Sequence, residues 1–319
     1  MGSSEQIPPQ QPSHDRDALA QRSIPWMKLG DAGSTTTAPP EPFAEDVSPV
    51  QRAALRFGVQ GHAVFTGGAG TLALSAARAL LEHGLSGLGL LDLPSTLENP
   101  DSKAAITALK KDFPQANILA EPCDVTDAKS LAGAVHEMRA RLGPINILVC
   151  FAGIVSCVDA KDISPEQWRR VLDVNTTGAW LAAQEVGKSM IADSEAGTSR
   201  GGTIVFIASI SGHNVNYPQP QIAYNVSKSA LLHMCKNLAA EWTRYGIRVN
   251  SISPGYMDTI LNEGEGLAPF RKEWASRNPM GRMGQPQELM GPLVFLCSRM
   301  ASSYVNGTDI IVDGGGSVF

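Results

Sequence analysis

His62-Ala63-Val64-Phe65-Thr66-Gly67-Gly68-Ala69-Gly70-Thr71-Leu72-Ala73 is the stretch on which the fold turns. The apolar run from His62 to Thr66 reads as a short buried strand, and the glycines after it as a tight turn. Leu72 to His83 has the composition and spacing of a helix, with Gly84 where that helix would stop. A second apolar strand then runs from Gly87 to Leu91 and ends on Asp92. Glycines between a strand and a helix let the backbone approach a pyrophosphate, whose charge the amides of the helix N-terminus can meet. Gly67, Thr71 and Leu72 are therefore candidate contacts for a dinucleotide. Asp92 stands about 20 residues beyond the loop, where a carboxylate accepts hydrogen bonds from the adenosine ribose. Taken alone it could equally cap the segment that starts at Pro94. As a ribose ligand it repels a 2′-phosphate, so NAD is expected ahead of NADP; no cation in Leu93 to Leu97 offsets it.

The same beat continues along the chain. Ile118 to Ala120, Ile145 to Cys150, Thr203 to Ala208, Arg248 to Ile252 and Asp309 to Val312 read as strands, separated by helix-length segments. Repeated βα units predict an α/β fold: a single Rossmann-type doubly wound parallel sheet with helices on both faces. Ligands in such sheets bind beyond the carboxyl ends of the strands. That places Asp124 and Val125 after the third strand, with Asp127 as the helix cap beside them. It also places Ala152 and Gly153 after the fourth strand, and Gly255, Met257 and Thr259 after the sixth, where they could orient a nicotinamide.

With 319 residues, 43% of them hydrophobic and 18% charged, the chain can form one large domain, expected over 51–319. Residues 1–50 are rich in Pro, Gln, Ser, Thr and Asp and are expected to be a disordered extension, in which Trp26, Met27 and Leu29 form a small apolar patch. A formal charge of −5 argues against a nucleic-acid surface. No apolar stretch suits a signal peptide or a membrane anchor. Cys123, Cys150, Cys157, Cys235 and Cys297 lack metal or redox spacing and read as buried free thiols, which points to the cytoplasm. No metal site is expected, since the six histidines show no ligand spacing either.

The chemistry falls on Tyr224-Asn225-Val226-Ser227-Lys228. Spacing of i to i+4 puts the phenol and the ammonium on one face of a helix that runs on to Trp242. A cation beside a tyrosine lowers its pKa from about 10, as proton exchange near neutral pH requires. Ser209, at the end of a strand, could hold a substrate oxygen. Asn175, in Val174-Asn175-Thr176-Thr177-Gly178, is either a local bend or part of a proton relay.

These residues resemble the short-chain dehydrogenases/reductases over about Gly61 to Phe319. The likeness rests on Tyr224 to Lys228, on Val174 to Gly178, on Arg248-Val249-Asn250 before Ser253-Pro254-Gly255, and on Val312-Asp313-Gly314-Gly315-Gly316. It implies a catalytic tetrad of Asn175, Ser209, Tyr224 and Lys228, with Asn175, Tyr224 and Lys228 also contacting the cofactor and Lys228 holding the nicotinamide ribose. It further implies an NAD(P)-dependent exchange of a secondary alcohol and a ketone, and a homodimer or homotetramer. Thr71 and Ala73 stand where the family has its last two loop glycines, and Phe151 where it has a second asparagine. Pro218-Gln219-Pro220-Gln221, Ala240-Glu241-Trp242, Pro279-Met280-Gly281-Arg282-Met283 and Ala301-Ser302-Ser303-Tyr304 are similar to the fungal polyol group of D-arabinitol 2-dehydrogenases and ketose reductases.

A polyol such as D-arabinitol, paired with D-ribulose, is the substrate this implies. A biosynthetic ketoreductase for a larger metabolite is the alternative, and a non-catalytic nicotinamide-binding regulator a remote one. The segments expected to wall the pocket are Ser211 to Gln221, with polar His213, Asn214 and Gln219, and Tyr256 to Arg282, read as a lid around Gly264 and Gly266.

Overall fold

The computed structural model describes residues 23–259, 262 and 264–318. Seven strands form one sheet in the order β3-β2-β1-β4-β5-β6-β7. They are β1 His62–Thr66, β2 Gly87–Asp92, β3 Asn117–Pro122, β4 Ile145–Cys150, β5 Gly202–Ile207, β6 Ile247–Pro254 and β7 Asp309–Val312. Every neighbouring pair is parallel. The expected strands are all present, with ends that differ by two residues at most.

Parallel strands covered on both faces must be apolar on both, and β1 shows how. Val64 and Phe65 are both fully buried, and alternation sends them to opposite faces. Phe65 packs into the cluster made with α2 (Thr71–Glu82), α3 (Pro100–Asp112) and α9 (Met290–Cys297), through Leu80, Leu109 and Leu293. Val64 packs against α4 (Ala128–Leu142), α6 (Gly178–Glu195) and α7 (Ile222–Trp242), through Met138, Val186 and Leu231. Among the described residues the other α-helices of eight residues or more are α1 (Pro49–Arg56), α5 (Pro165–Leu172) and α8 (Ala268–Ser276), with single turns at Pro94–Leu97 and Arg299–Ser302.

Asn175 lies between two helices joined by a π turn over Asp173–Thr177. Asp127 caps α4, its carboxylate accepting the Lys129 N–H. Four of the five cysteines are buried, whereas Cys157 is exposed in the loop after β4, a correction to the uniform burial expected of them.

Of the expected extension, residues 1–22 lie outside the described residues. Residues 23–48 contain no helix or strand, yet they touch the domain: Thr36 donates to the Arg244 carbonyl at 3.1 Å, and Arg299 donates to the Ala38 carbonyl at 3.3 Å. Trp26 is 89% exposed, so it does not dock. Ser48 then starts α1 with a capping box to Gln51.

Candidate active site

The sheet reverses its winding between β1 and β4, and a crevice opens there at the carboxyl ends of the strands. Gly67 has φ +63°, and a Cβ on it would lie 2.6 Å from the Ala152 nitrogen; one on Gly68 would lie 2.8 Å from the Leu90 Cα. Only glycines let the two loops approach this closely. The N-cap of α2 is Gly70, and no side chain caps the first turn. Amides at the start of α2, those of Thr71 and Leu72 among them, thus face the crevice mouth without a side-chain acceptor, which fits a pyrophosphate.

Asp92 is held by two backbone donors, Ala69 N–H at 3.0 Å and Leu93 N–H at 2.8 Å. It is not the cap of the short helical turn at Pro94–Leu97, whose N-cap is Leu93. Each carboxylate oxygen keeps a lone pair, which fits a ribose diol. Asp124 is exposed, and one of its oxygens closes a turn by accepting the Thr126 N–H and hydroxyl, leaving the other open. Val125 beside it is buried against Gly178, and the Met257 and Thr259 side chains are buried after β6. Gly255 is pressed on Asp313, so no side chain fits there. The residues named for a dinucleotide therefore line one edge of the sheet, and their donors and acceptors suit it.

The second group converges from three elements. Tyr224 and Lys228 come from α7, Ser209 follows β5, and Asn175 sits in the π turn. Tyr224 is half-buried, with Ser209 near enough for its hydroxyl to act on the phenol. Burial pushes the phenol up to about 12, and the Ser209 hydroxyl opposes that. Lys228 Nζ lies 5.6 Å from the phenol ring centroid and donates to the Ile207 carbonyl at 2.8 Å. Burial pulls this ammonium down to about 8. Desolvation, rather than the lysine, therefore dominates the titration of the tyrosine in this arrangement.

Asn175 is fully buried, and its amide is tied to Ile154 N–H at 2.8 Å, the Ile154 carbonyl at 2.9 Å and the Ser227 hydroxyl at 3.0 Å. Its side chain is a strut between the loop after β4 and α7. A Cβ on Gly153 would meet both Asn175 and Lys228, at 3.4 and 3.6 Å, so this glycine is the floor between them. Among the described residues, no group of three or more His, Cys, Asp or Glu could hold a metal ion.

A family model described as "Enoyl-(Acyl carrier protein) reductase" matches residues 68–317. A D-arabinitol 2-dehydrogenase (ribulose-forming) of Candida albicans is 34% identical over 263 residues, 79% of this chain and 91% of that protein. The chain belongs to the short-chain dehydrogenase/reductase family. An NADH-dependent L-xylulose reductase of Ambrosiozyma monospora is 32% identical, covering 81% of this chain and 96% of that protein. The crystal structure of a gluconate 5-dehydrogenase from Burkholderia cenocepacia, in complex with NADP and tartrate, superimposes with a TM-score of 0.73. It is 32% identical and covers 84% of this chain and 99% of that one. This chain is accordingly an NAD(P)-dependent oxidoreductase acting on CH–OH groups.

The departures from the family pattern are accommodated locally. Thr71 is exposed at the first position of α2, Ala73 is buried where helix meets sheet, and Phe151 packs on Phe65 with ring centroids 5.3 Å apart.

The segments expected to wall the pocket are joined by bonds that the sequence did not reveal. Trp274 of α8 stacks on Tyr256 at 4.3 Å and donates to Gln219 at 3.0 Å. Gln219 donates to Gln221 at 3.1 Å and to the Tyr256 phenol at 2.9 Å, and Gln221 donates to Ser211, which bonds Ser209. Asn216 donates to the same phenol at 2.7 Å, while its own carbonyl is buried without a partner. Loop polarity alone would be explained by exposure, and that explanation holds for His213 and Asn214. It fails for Ser211, Gln219 and Gln221, which are all buried. Nothing in the local sequence could have signalled a network assembled from three distant segments.

Within the segment read as a lid, residues 260, 261 and 263 lie outside the described residues. The remainder carries a turn at Glu265–Leu267 and the whole of α8, whose Arg271 pairs with Asp258 at 2.7 Å.

Proposed function

We propose that this enzyme interconverts a polyol and its ketose, D-arabinitol and D-ribulose being the leading pair, with NAD(H) preferred over NADP(H). The observation that carries the reading is the buried wall of side-chain amides and hydroxyls beside Tyr224. Hydrogen bonds run from Ser209 through Ser211, Gln221 and Gln219 to Tyr256, which supports reading the wall as part of the substrate site. The Tyr256 oxygen already accepts two N–H bonds, so its own proton needs an acceptor, and the Asn216 carbonyl needs a donor. A substrate hydroxyl is both. If the Asn216 amide is turned over, its N–H becomes the orphan, and a hydroxyl still satisfies it. The names of the relatives agree with this class.

In this reading Ser209 binds the reacting oxygen and Tyr224 gives it a proton in the reductive direction or takes one in the oxidative. Burial keeps the phenol protonated through neutral pH, the form that reduction requires. Lys228 holds the nicotinamide ribose, and Asn175 fixes the loop that Lys228 packs against. Bound NAD(H) supplies the hydride acceptor or donor. Asp92 selects the diol of NAD, although the relatives point both ways, one being NADH-dependent and one holding NADP. A homo-oligomer, dimer or tetramer, and a cytoplasmic location belong to the same reading. No described helix is long and apolar enough to cross a membrane.

The direct test is an initial-rate screen of pentitols, hexitols and ketoses with NAD(H) and NADP(H) in parallel. Turnover of a pentitol with NAD is expected; inactivity on every polyol and ketose with either cofactor would discard the assignment.

Two quantitative expectations follow from the site. Asn216→Leu removes the hydroxyl-binding amide and leaves the Tyr256 phenol with one donor fewer. kcat/KM for the preferred polyol should fall about tenfold, at about 1.4 kcal/mol for a lost hydrogen bond. An analogue lacking the distal hydroxyl should lose much less.

The second concerns pH. Lys228 is charged below its pKa of about 8 and loses its proton above it. Ketone reduction should therefore hold steady at neutral pH and decline as pH rises through that value. A flat profile from pH 7 to 10, read as kcat at saturating ketone and NADH, would show that the ammonium is not needed.

A further inference from the structure

At the opposite edge of the sheet lies a cavity of about 810 Å³, inside the range of roughly 300–1,000 Å³ typical of small-molecule sites. Its floor is the amino-terminal ends of β4, β5 and β6, at Ile147, Gly202 and Ile247. One wall is the segment around Thr36 to Phe43, which precedes the region matched by the family model. Three arginines line it, Arg200, Arg248 and Arg299, with Glu41 as the one acidic residue.

None of the three arginines is in an ion pair among the described residues. Arg248 donates to the carbonyls of Leu296 and Val305, at 2.9 and 3.3 Å, and Arg299 to those of Arg200 and Ala38, at 3.1 and 3.3 Å. Each guanidinium has N–H groups to spare after these bonds. Burial together with repulsion from Arg299 pulls Arg248 down to about 10, and burial together with Arg200 lowers Arg299. No carboxylate offsets either shift. Placing like charges around a half-enclosed space is unfavourable unless something negative enters it.

We propose that this cavity binds a small anionic metabolite, bearing carboxylate or phosphate, held by Arg200, Arg248 and Arg299. Guanidiniums bind either group through paired N–H···O bonds, so the shared chemistry is a planar or tetrahedral oxyanion. The site is separate from the cofactor crevice. Gly202 in the cavity and Ser209 at the catalytic edge are the two ends of one strand and its exit, about 23 Å apart at ~3.3 Å per residue. The ligand would also join the segment before α1 to the domain, since Thr36 and Arg299 face the same space.

The test is isothermal titration of the full chain with inorganic pyrophosphate and with citrate, at constant ionic strength, with and without saturating NADH. Saturable binding of at least one of them, one per chain and unchanged by NADH within about twofold, is expected. Arg200→Gln should weaken it at least tenfold, and Glu41→Gln should strengthen it. Both residues are exposed, so circular dichroism should match the parent. A response to pyrophosphate alone assigns a phosphate ligand and one to citrate alone a carboxylate. Absence of saturable heat with either, displacement by NADH, or parent affinity in Arg200→Gln would overturn the proposal.

Discussion

Tyr224→Phe is expected to lower kcat about 10³-fold while NADH affinity stays within about twofold of the parent. The phenylalanine keeps the half-buried ring and deletes only the hydroxyl beside Ser209. In the proposed reading, ground-state binding of the cofactor rests mainly on other groups, among them Lys228 and the amides of α2, so it should persist. What disappears is proton exchange with the substrate oxygen, an effect confined to the transition state. The check pairs initial rates at saturating substrate with a fluorescence titration of NADH. Retention of a tenth or more of the parent rate would mean that another group carries the proton. Ser209→Ala should cost less, because Ser211 and the phenol remain to organise the oxygen.

The site was legible to the extent that it depends on residues fixed by local geometry. The glycine loop declares itself because Gly67 needs a positive φ and Gly68 a backbone approach, both of which restrict residue type. Tyr224 and Lys228 could be paired because helical spacing is enough to bring them together. The strands could be placed because a doubly covered sheet demands apolar residues on both faces, as Val64 and Phe65 show.

What stayed hidden depends on tertiary burial. The titration of Tyr224 could not be read, since the desolvation that pushes it up to about 12 comes from walls built elsewhere in the chain. Asn175 was left between bend and relay; the π turn makes it a bend, and its three amide bonds make it a strut. Tyr256 could be read as the start of a wall segment, but its bonds to Asn216 and Gln219 and its stacking on Trp274 could not, because they join side chains from separate parts of the chain. The pairing of Thr36 and Ala38 with the domain was likewise beyond reach, because it joins positions more than 200 residues apart through backbone carbonyls.

Asp92→Asn should reduce the preference for NAD over NADP, measured as the ratio of kcat/KM values, about 100-fold. A carboxylate at the end of β2 that receives a ribose diol would face the 2′-phosphate of NADP at close range. Like charges set together cost several kcal/mol, and about 2.7 kcal/mol suffices for that factor. Asparagine keeps the shape and removes the charge. It also places an N–H group where Asp92 now accepts from Ala69 or Leu93, so some stability is lost and Tm should drop by a few degrees.

That structural loss separates two explanations. Damage to the loop would raise KM for both cofactors together and leave their ratio alone. Removal of repulsion should lower KM for NADP in absolute terms while raising it for NAD. A ratio that stays put, or a parent enzyme that already favours NADP, would show that the 2′-phosphate lies out of reach of Asp92. Asp124, with one oxygen already closing a turn, would then be the remaining carboxylate at the adenosine end.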